Sequence, residues 1–448
     1  MSHTLRSAAL LALLLASSGP IAAQEIRFNV VPYRLDNGLK VLVLEDHAVP
    51  TVSYYTFYRV GSRNERSGRT GISHLFEHMM FNGAKKYGPK EFDLQMESRG
   101  GSSNAFTTQD LTAYYESFPS EALDLVVDME ADRMAALRIA PDILNSEREV
   151  VKEERRLSLD NDVFGAPYEL LLATAYLAHP YQWSVVGWMA DLDAITVADC
   201  EAYFRTYYAP NNATIVIVGD FKPDKVIETI NKAYGAIAAQ PAAAPVVNDE
   251  PPQRGERRAV LKKAAQLPSV MMAYHVAGTQ SNDTLALDLL ETILGQGDSS
   301  RLVRSLVYDK ELATHVSVEN EWRVDPSTFI VYAEAKPGVT PQALEAAVSA
   351  EIDRLASQEV GDDELRKARN IRTTSLVKSL KTNAGRAEEI GRFETLFGSY
   401  QKLFTILKTY EAIGKTDLLK VAAAYLRSDN RTVVSLVPAA EGGQDVAR

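Results

Sequence analysis

Two segments of this chain, Thr51 to Val60 (TVSYYTFYRV) and Ser269 to Val276 (SVMMAYHV), resemble each other, and each runs into a polar glycine-containing turn and then a helical segment. Such a recurrence points to a fold built twice. The first helical segment is Gly71 to Asn82, ended by Gly83, and the second is Asn282 to Leu294. Between the two halves, Ala238 to Arg257 replaces apolar periodicity with Ala, Pro and charged residues and reads as a linker. In the first half, Leu39 to Glu45 and Thr51 to Val60 are joined by Asp46 to Pro50 and read as a hairpin. Ser103 to Thr107 and Thr112 to Phe118 read as strands, Ser120 to Leu137 and Pro141 to Leu159 as helices, and Ala213 to Val218 as a strand before the helix Lys222 to Ile237. In the second half, helices at Thr340 to Leu355 and Asp362 to Leu376 precede a strand at Arg431 to Val437, matching the place of Ala213 to Val218. The expectation is two similar α+β domains, residues 24–237 and 258–448, joined by 238–257. Two unrelated α+β domains are the alternative.

Residues 1–23 read as a secretory signal: Arg6, an unbroken Ala/Leu run from Ala8 to Ala16, then Ser17-Ser18-Gly19-Pro20 and Ile21-Ala22-Ala23. Cleavage is expected after Ala23. Beyond it no uninterrupted apolar stretch approaches the length of a membrane span, so an exported protein, periplasmic or secreted and without a membrane anchor, is expected. The single cysteine, Cys200, rules out an intrachain disulfide framework and any zinc site built from two thiolates. A net charge of −11 argues against nucleic acid as a partner, because such binding rests on cationic side chains neutralising phosphates.

The chemistry concentrates in Gly71-Ile-Ser-His74-Leu-Phe-Glu77-His78-Met-Met. On a helix, His74, Glu77, His78 and Phe81 fall on one side, and Ile72, Leu75, Phe76, Met79 and Met80 on the other. Two histidines at i and i+4 can bind one Zn²⁺ through ring nitrogens, and Glu77 stands where it can take a proton from water that the metal activates. Two buried or capping histidines are the bland reading. A catalytic zinc also needs a third protein ligand. The donor region is Asn145 to Arg156 (NSEREVVKEERR), in which Glu147, Val150, Val151 and Glu154 share one face, expected to be buried, while Glu149, Glu153, Arg155 and Arg156 suit a solvated face. Glu147 and Glu154 are two turns apart, about 10.5 Å along the axis. One can therefore ligate while the other supports a ligand.

His74-x-x-Glu77-His78 followed by Glu154 resembles the inverted-motif zinc peptidases, the pitrilysin, insulinase and mitochondrial processing peptidase family. The resemblance covers nearly the whole chain after the signal. It includes Val60-Gly61-Ser62, Asn104-Ala105-Phe106-Thr107, Thr112-Ala-Tyr114-Tyr115, Glu130-Ala-Asp132-Arg133-Met134, Tyr208-Ala-Pro-Asn211-Asn212 and Val218-Gly-Asp220-Phe221. It implies a pair of α+β domains, each a mostly antiparallel sheet flanked by helices. It also implies one zinc held by His74, His78 and Glu154, Glu77 as general base, and Glu147 as a supporting carboxylate. Asn104, Ala105 and Phe106 would form an edge strand to which substrate backbone adds. One departure stands out. Where self-sufficient family members carry an Arg and a Tyr in the non-zinc half, this sequence holds Tyr308 and His315. The chain is also about half the length of the single-chain, four-domain type. A second exported subunit of similar fold without zinc ligands, supplying the Arg and Tyr, is expected; a homodimer using Tyr308 or His315 is the competing version.

Other candidates have plainer readings. His179 reads as ordering its loop, His47 and His275 as structural, and Cys200 as a packed side chain. Tyr114 and Tyr115 point to opposite faces of one strand, so one is expected to reach the site and the other to pack. The expected function is a zinc metalloendopeptidase hydrolysing short or unfolded peptides, with a non-catalytic scaffold or peptide-binding subunit as the alternative.

Overall fold

A computed structural model describes residues 26–439; the export signal read at residues 1–23 lies outside them. Eleven strands are found among the described residues: β1 (Val31–Arg34), β2 (Lys40–Glu45), β3 (Thr51–Tyr58), β4 (Ser102–Thr107), β5 (Thr112–Pro119), β6 (Ala213–Gly219), β7 (Arg257–Lys263), β8 (Ser269–Val276), β9 (Ala313–Asn320), β10 (Ser327–Ala335) and β11 (Arg431–Pro438). They form two sheets, in the orders β1-β2-β6-β3-β5-β4 and β7-β11-β8-β10-β9. Each sheet contains one parallel pair, β2 with β6 and β7 with β11, and is otherwise antiparallel. Residues 238–256 contain neither helix nor strand, and Arg257 opens β7. No helix among the described residues is long and apolar enough to cross a membrane.

The expected β2–β3 hairpin does not form. β6 lies between the two strands, and the Asp46–Pro50 connection passes over its end, with Asp46 N donating to Gly219 O (2.8 Å) and Asp220 N to Thr51 O (3.0 Å). The reason is the composition of β6: ATIVIVG is buried at every residue, so it takes the interior position, where neither face meets water. Two helix ends also differ from expectation. The His-Glu-His helix runs from Ile72 to Met79, and the chain then tightens through three-residue bonds, Phe81 N to His78 O and Asn82 N to Met79 O. Gly83, at φ 90°, ends it as expected. The acidic helix ends at Arg155 and widens into a π turn over Arg156–Asp160.

Alternation along the strands splits each sheet into two apolar faces, and each half covers one face of the other half's sheet. On the first sheet, Val41, Val43, Tyr54, Tyr58 and Tyr114 pack on the first half's own helices, whereas Leu42, Leu44, Tyr55, Phe57, Val216 and Val218 join the core of the second half. Tyr114 is thus the packed tyrosine of its pair, and Tyr115 stacks on Tyr55 on the opposite face, with ring centroids 4.9 Å apart. The helix Asn383–Leu396 lies against β3 and β6. In return, the helix Gly165–Ala175 lies on β7, β8 and β11, with Leu171 packed among Met271, Ala273, Ile330, Tyr332 and Val434. A polar cluster ties the same boundary. Tyr181 OH donates to Asp110 Oδ1 (2.6 Å), Val324 N donates to Asp110 Oδ2 (3.1 Å), and His179 Nε2 lies 3.1 Å from Asp325 Oδ2. His179 thus orders its loop, as its isolation from other histidines suggested.

Gly391, on the helix that crosses to the first sheet, sits directly on Phe57: an added Cβ would lie 1.9 Å from the ring of that fully buried side chain. Gly391→Ala is therefore expected to lower stability by about 1–3 kcal/mol, measurable as a reduced midpoint in denaturant unfolding of the full chain.

Candidate metal centre

The His-Glu-His helix is fixed before its chemistry begins. Leu75, Phe76 and Met79 are fully buried, Phe76 packs against Tyr203, Phe204 and Tyr208, and Ser73 Oγ lies 2.7 Å from Tyr203 OH. At the N-terminus, the buried Glu65 accepts from Gly71 N and Ser73 N, both at 2.8 Å, so a carboxylate satisfies two otherwise unpaired amides. Gly71, at φ 85°, has no room for a side chain: an added Cβ would meet Val186 O at 2.2 Å.

His74 and His78 leave the opposite side of this helix, their rings edge to face at 4.8 Å. Glu154 approaches from the acidic helix Pro141–Arg155, its Oε2 3.5 Å from His74 Nε2 and 3.4 Å from His78 Nε2. One ligand atom from each of the three residues lies within 4.8 Å of the others. Donor atoms 2.0–2.1 Å from a tetrahedral zinc are separated from one another by roughly 3.3 Å, so the two distances from Glu154 fit that ion with little adjustment. At His74 protonation fits as well. Burial, followed by the nearby His78, lowers the His74 pKa to about 4, which keeps its imidazole neutral and its lone pair available. Burial opposes charge on His78, but the hydrogen bond to Glu147 and the fields of Glu154 and Glu77 outweigh it and raise its pKa.

The neighbouring carboxylates take distinct places. Glu147 Oε2 is 3.5 Å from His78 Nδ1, the nitrogen turned away from the trio, and Asn82 Nδ2 donates to Glu147 Oε1 (3.0 Å) and to His78 O (3.1 Å). Glu77 accepts a hydrogen bond from Thr107 Oγ1 at 2.5 Å, and burial raises its carboxyl above the ordinary range while that bond pulls the other way. Thr107 ends β4, whose Asn104, Ala105 and Phe106 lie on the outer edge of the first sheet beside this centre. Tyr308 and His315 lie in the second half, Tyr308 exposed in the π turn Val303–Asp309 and His315 on the edge strand β9 beside Tyr332.

Expectations for the acidic helix need two corrections. Val151 is fully buried, but Val150 is 43% exposed: the buried stripe centres on Val151 and Glu147, and Val150 lies at its margin. Arg155, expected in solvent, is buried and makes a two-bond pair with Glu169, Nη1 to Oε1 and Nη2 to Oε2, both 2.8 Å, while also donating to Gly187 O. A partner on a helix that covers the other sheet is what makes its burial tolerable. Glu65, Asn82 and Thr107 were not singled out in the sequence. Asn82 carried a usable signal, four residues after His78 and so above it on the same face.

Cys200 is fully buried, and burial pushes its thiol up to about 12, so it behaves as a packed side chain. His47 is not isolated: it lies 2.5 Å from both Glu45 and Asp220 at the surface, which raises its pKa. His275 is structural, its Nε2 2.9 Å from Ala175 O.

The profile of the insulinase family (peptidase family M16) matches residues 40–187, and that of the peptidase M16 inactive domain matches residues 194–372. The zinc protease PqqE of Helicobacter pylori is 33% identical over 90% of this chain and 92% of its own length. The crystal structure of a protease from Helicobacter pylori superposes with a TM-score of 0.89 at 31% identity, covering 92% of this chain and all of that one. The periplasmic protease PqqL from Escherichia coli shares the fold with a TM-score of 0.75 at 19% identity, over 92% of this chain and 48% of PqqL. With near full-length similarity to a zinc protease and both halves matched, the chain belongs to the insulinase family of zinc peptidases, peptidase family M16.

Proposed function

We propose that this protein is a zinc-dependent endopeptidase acting on short or unfolded peptides, with one zinc per chain held by His74, His78 and Glu154. The observation that carries this reading is the convergence of those three side chains, with Glu154 Oε2 3.4–3.5 Å from both imidazole Nε2 atoms. A zinc ion held there would polarise a peptide carbonyl and bring the pKa of water toward about 7. Glu77 is the general base: a buried carboxylate that holds a proton more readily than usual is suited to take one from water and deliver it to the leaving amine. Thr107 fixes Oε2 of Glu77 and thereby sets where Oε1 points. Glu147 orients His78 through Nδ1, and Asn82 holds Glu147 in place. The open edge of β4 at Asn104, Ala105 and Phe106 would receive substrate backbone as an added strand.

The division into an N-terminal zinc-bearing domain, residues 24–237, and a C-terminal domain, residues 258–448, belongs to the same reading. So does export after cleavage behind Ala23, and so does a partner. A second subunit of similar fold, lacking zinc ligands, would close the site and supply the Arg and Tyr whose places are taken here by Tyr308 and His315. A homodimer is the competing arrangement. The match to 48% of the PqqL chain supports an assembly of two such units.

Glu77→Gln should retain zinc, measured by metal analysis, and lose peptide hydrolysis by at least about 100-fold. Unchanged hydrolysis in that variant would overturn Glu77 as the general base, and a wild type that neither binds zinc nor hydrolyses peptides would leave the scaffold reading standing instead. Treatment with a chelator should abolish activity, and added Zn²⁺ should restore it. Glu147→Gln should weaken zinc affinity by roughly 10–100-fold, read by competition with a chromogenic chelator.

A further inference from the structure

The second sheet repeats the first strand for strand, β7-β11-β8-β10-β9 standing for β2-β6-β3-β5-β4, with the parallel pair in the same place. Matching hydrogen bonds set the alignment. Asn212 Nδ2 donates to Arg59 O and Tyr207 O, and Asn430 Nδ2 donates to His275 O and Tyr425 O, so Tyr58 corresponds to Tyr274. Tyr58 pairs with Thr112, which pairs with Thr107; Tyr274 pairs with Phe329, which pairs with Asn320. Thr107 therefore corresponds to Asn320. Thr107 donates to Glu77, and Asn320 N donates to Glu291 Oε2 (3.2 Å). His74-x-x-Glu77-His78 thus reappears as Asp288-x-x-Glu291-Thr292.

The ligand-bearing helix has its counterpart in Asp362–Ser379. Arg148 donates through Nε to Leu192 O and through Nη2 to Ile195 O; Arg369 donates in the same way to Tyr410 O and Ile413 O. With Arg148 matched to Arg369, Glu147 becomes Ala368, Glu154 becomes Ser375, and the buried Val151 becomes Arg372. The guanidinium of Arg372 reaches the place where the ligands converge in the first half. Its Nη2 lies 2.7 Å from Glu291 Oε2 and donates to Asp288 O (2.7 Å), and its Nε donates to Thr292 Oγ1 (2.8 Å). The Asp288 carboxylate is taken up separately by Asn320 Nδ2, Trp322 Nε1 and Tyr410 OH.

We propose that the second half keeps the frame of the metal centre with its cation built in as the Arg372 guanidinium. The proposal rests on reading the first-half trio as a metal site. Arg372 and Glu291 line a cavity of about 700 Å³ that Phe106 of β4 also lines. Glu291, engaged by a permanent cation, has no activated water to serve, so this second centre does not hydrolyse; it keeps the end of β9 in place across the cavity from the first sheet.

The test restores the ligands. The full-length variant Asp288→His/Thr292→His/Ser375→Glu/Arg372→Val should hold one more zinc equivalent per chain than the wild type, by metal analysis of folded, dialysed protein. A folded variant with no added zinc overturns the shared frame. A wild type without zinc overturns the first-half reading instead, and the increment in the variant still decides this one. Independently of whether that variant folds, Arg372→Met should lower Tm by several degrees, and adding Glu291→Gln should recover part of the loss. An unchanged Tm in Arg372→Met, or no recovery, overturns the role of Arg372 as the substitute cation.

Discussion

The constraint on which the structure depends is that both sheets are apolar on both faces while neither half has enough helix of its own to cover them. Tyr55, Phe57, Val216 and Val218 would face water without the helix Asn383–Leu396, and Met271, Ala273 and Val434 without Gly165–Ala175. Burying each of the larger of these side chains is worth about 1.5–3 kcal/mol. The exchange of helices is therefore as much a core as the packing within each half. It explains why the long interior strands read as continuous apolar runs rather than as alternations.

The candidate metal centre takes its position from this exchange. His74 and His78 sit on a helix wedged through Phe76 against Tyr203 and Tyr208, inside the first half. Glu154 sits on the acidic helix, whose last residue, Arg155, is tied to Glu169 on the helix that crosses to the second sheet. Beneath the first pair, Arg133 lies between two buried carboxylates, 3.1 Å from Glu116 and paired with Glu130, and spreads under the rings of Phe81 and Tyr114. The Glu130-to-Met134 block thus has a physical reason to be charged: it braces the turn that follows His78.

Much of this was legible in the sequence, and what was not has identifiable causes. The His-Glu-His helix could be read because two periodicities coincide in it, apolar residues on one side and donors on the other. The repeat could be read because β3 and β8 are both largely apolar and each is followed by a polar turn and a helix. The supposed hairpin failed because the strand that separates β2 from β3 comes more than 150 residues later, and local turn chemistry holds no information about it. Val150 and Arg155 were misplaced because helical phase gives a direction but not what waits there. Glu65 and Thr107 escaped notice because their partners come from other segments, where spacing carries no signal. Even Asp288-x-x-Glu291-Thr292 is silent until strand register aligns it with the first half.

The Arg155–Glu169 pair has a thermodynamic consequence. Glu154 is the residue immediately before Arg155, so docking of the two halves and occupation of the metal centre bias the same short stretch of backbone. Linkage then works in both directions. An ion bound by His74, His78 and Glu154 would strengthen the hold of one half on the other, and anything that prised the halves apart would weaken the grip on the ion.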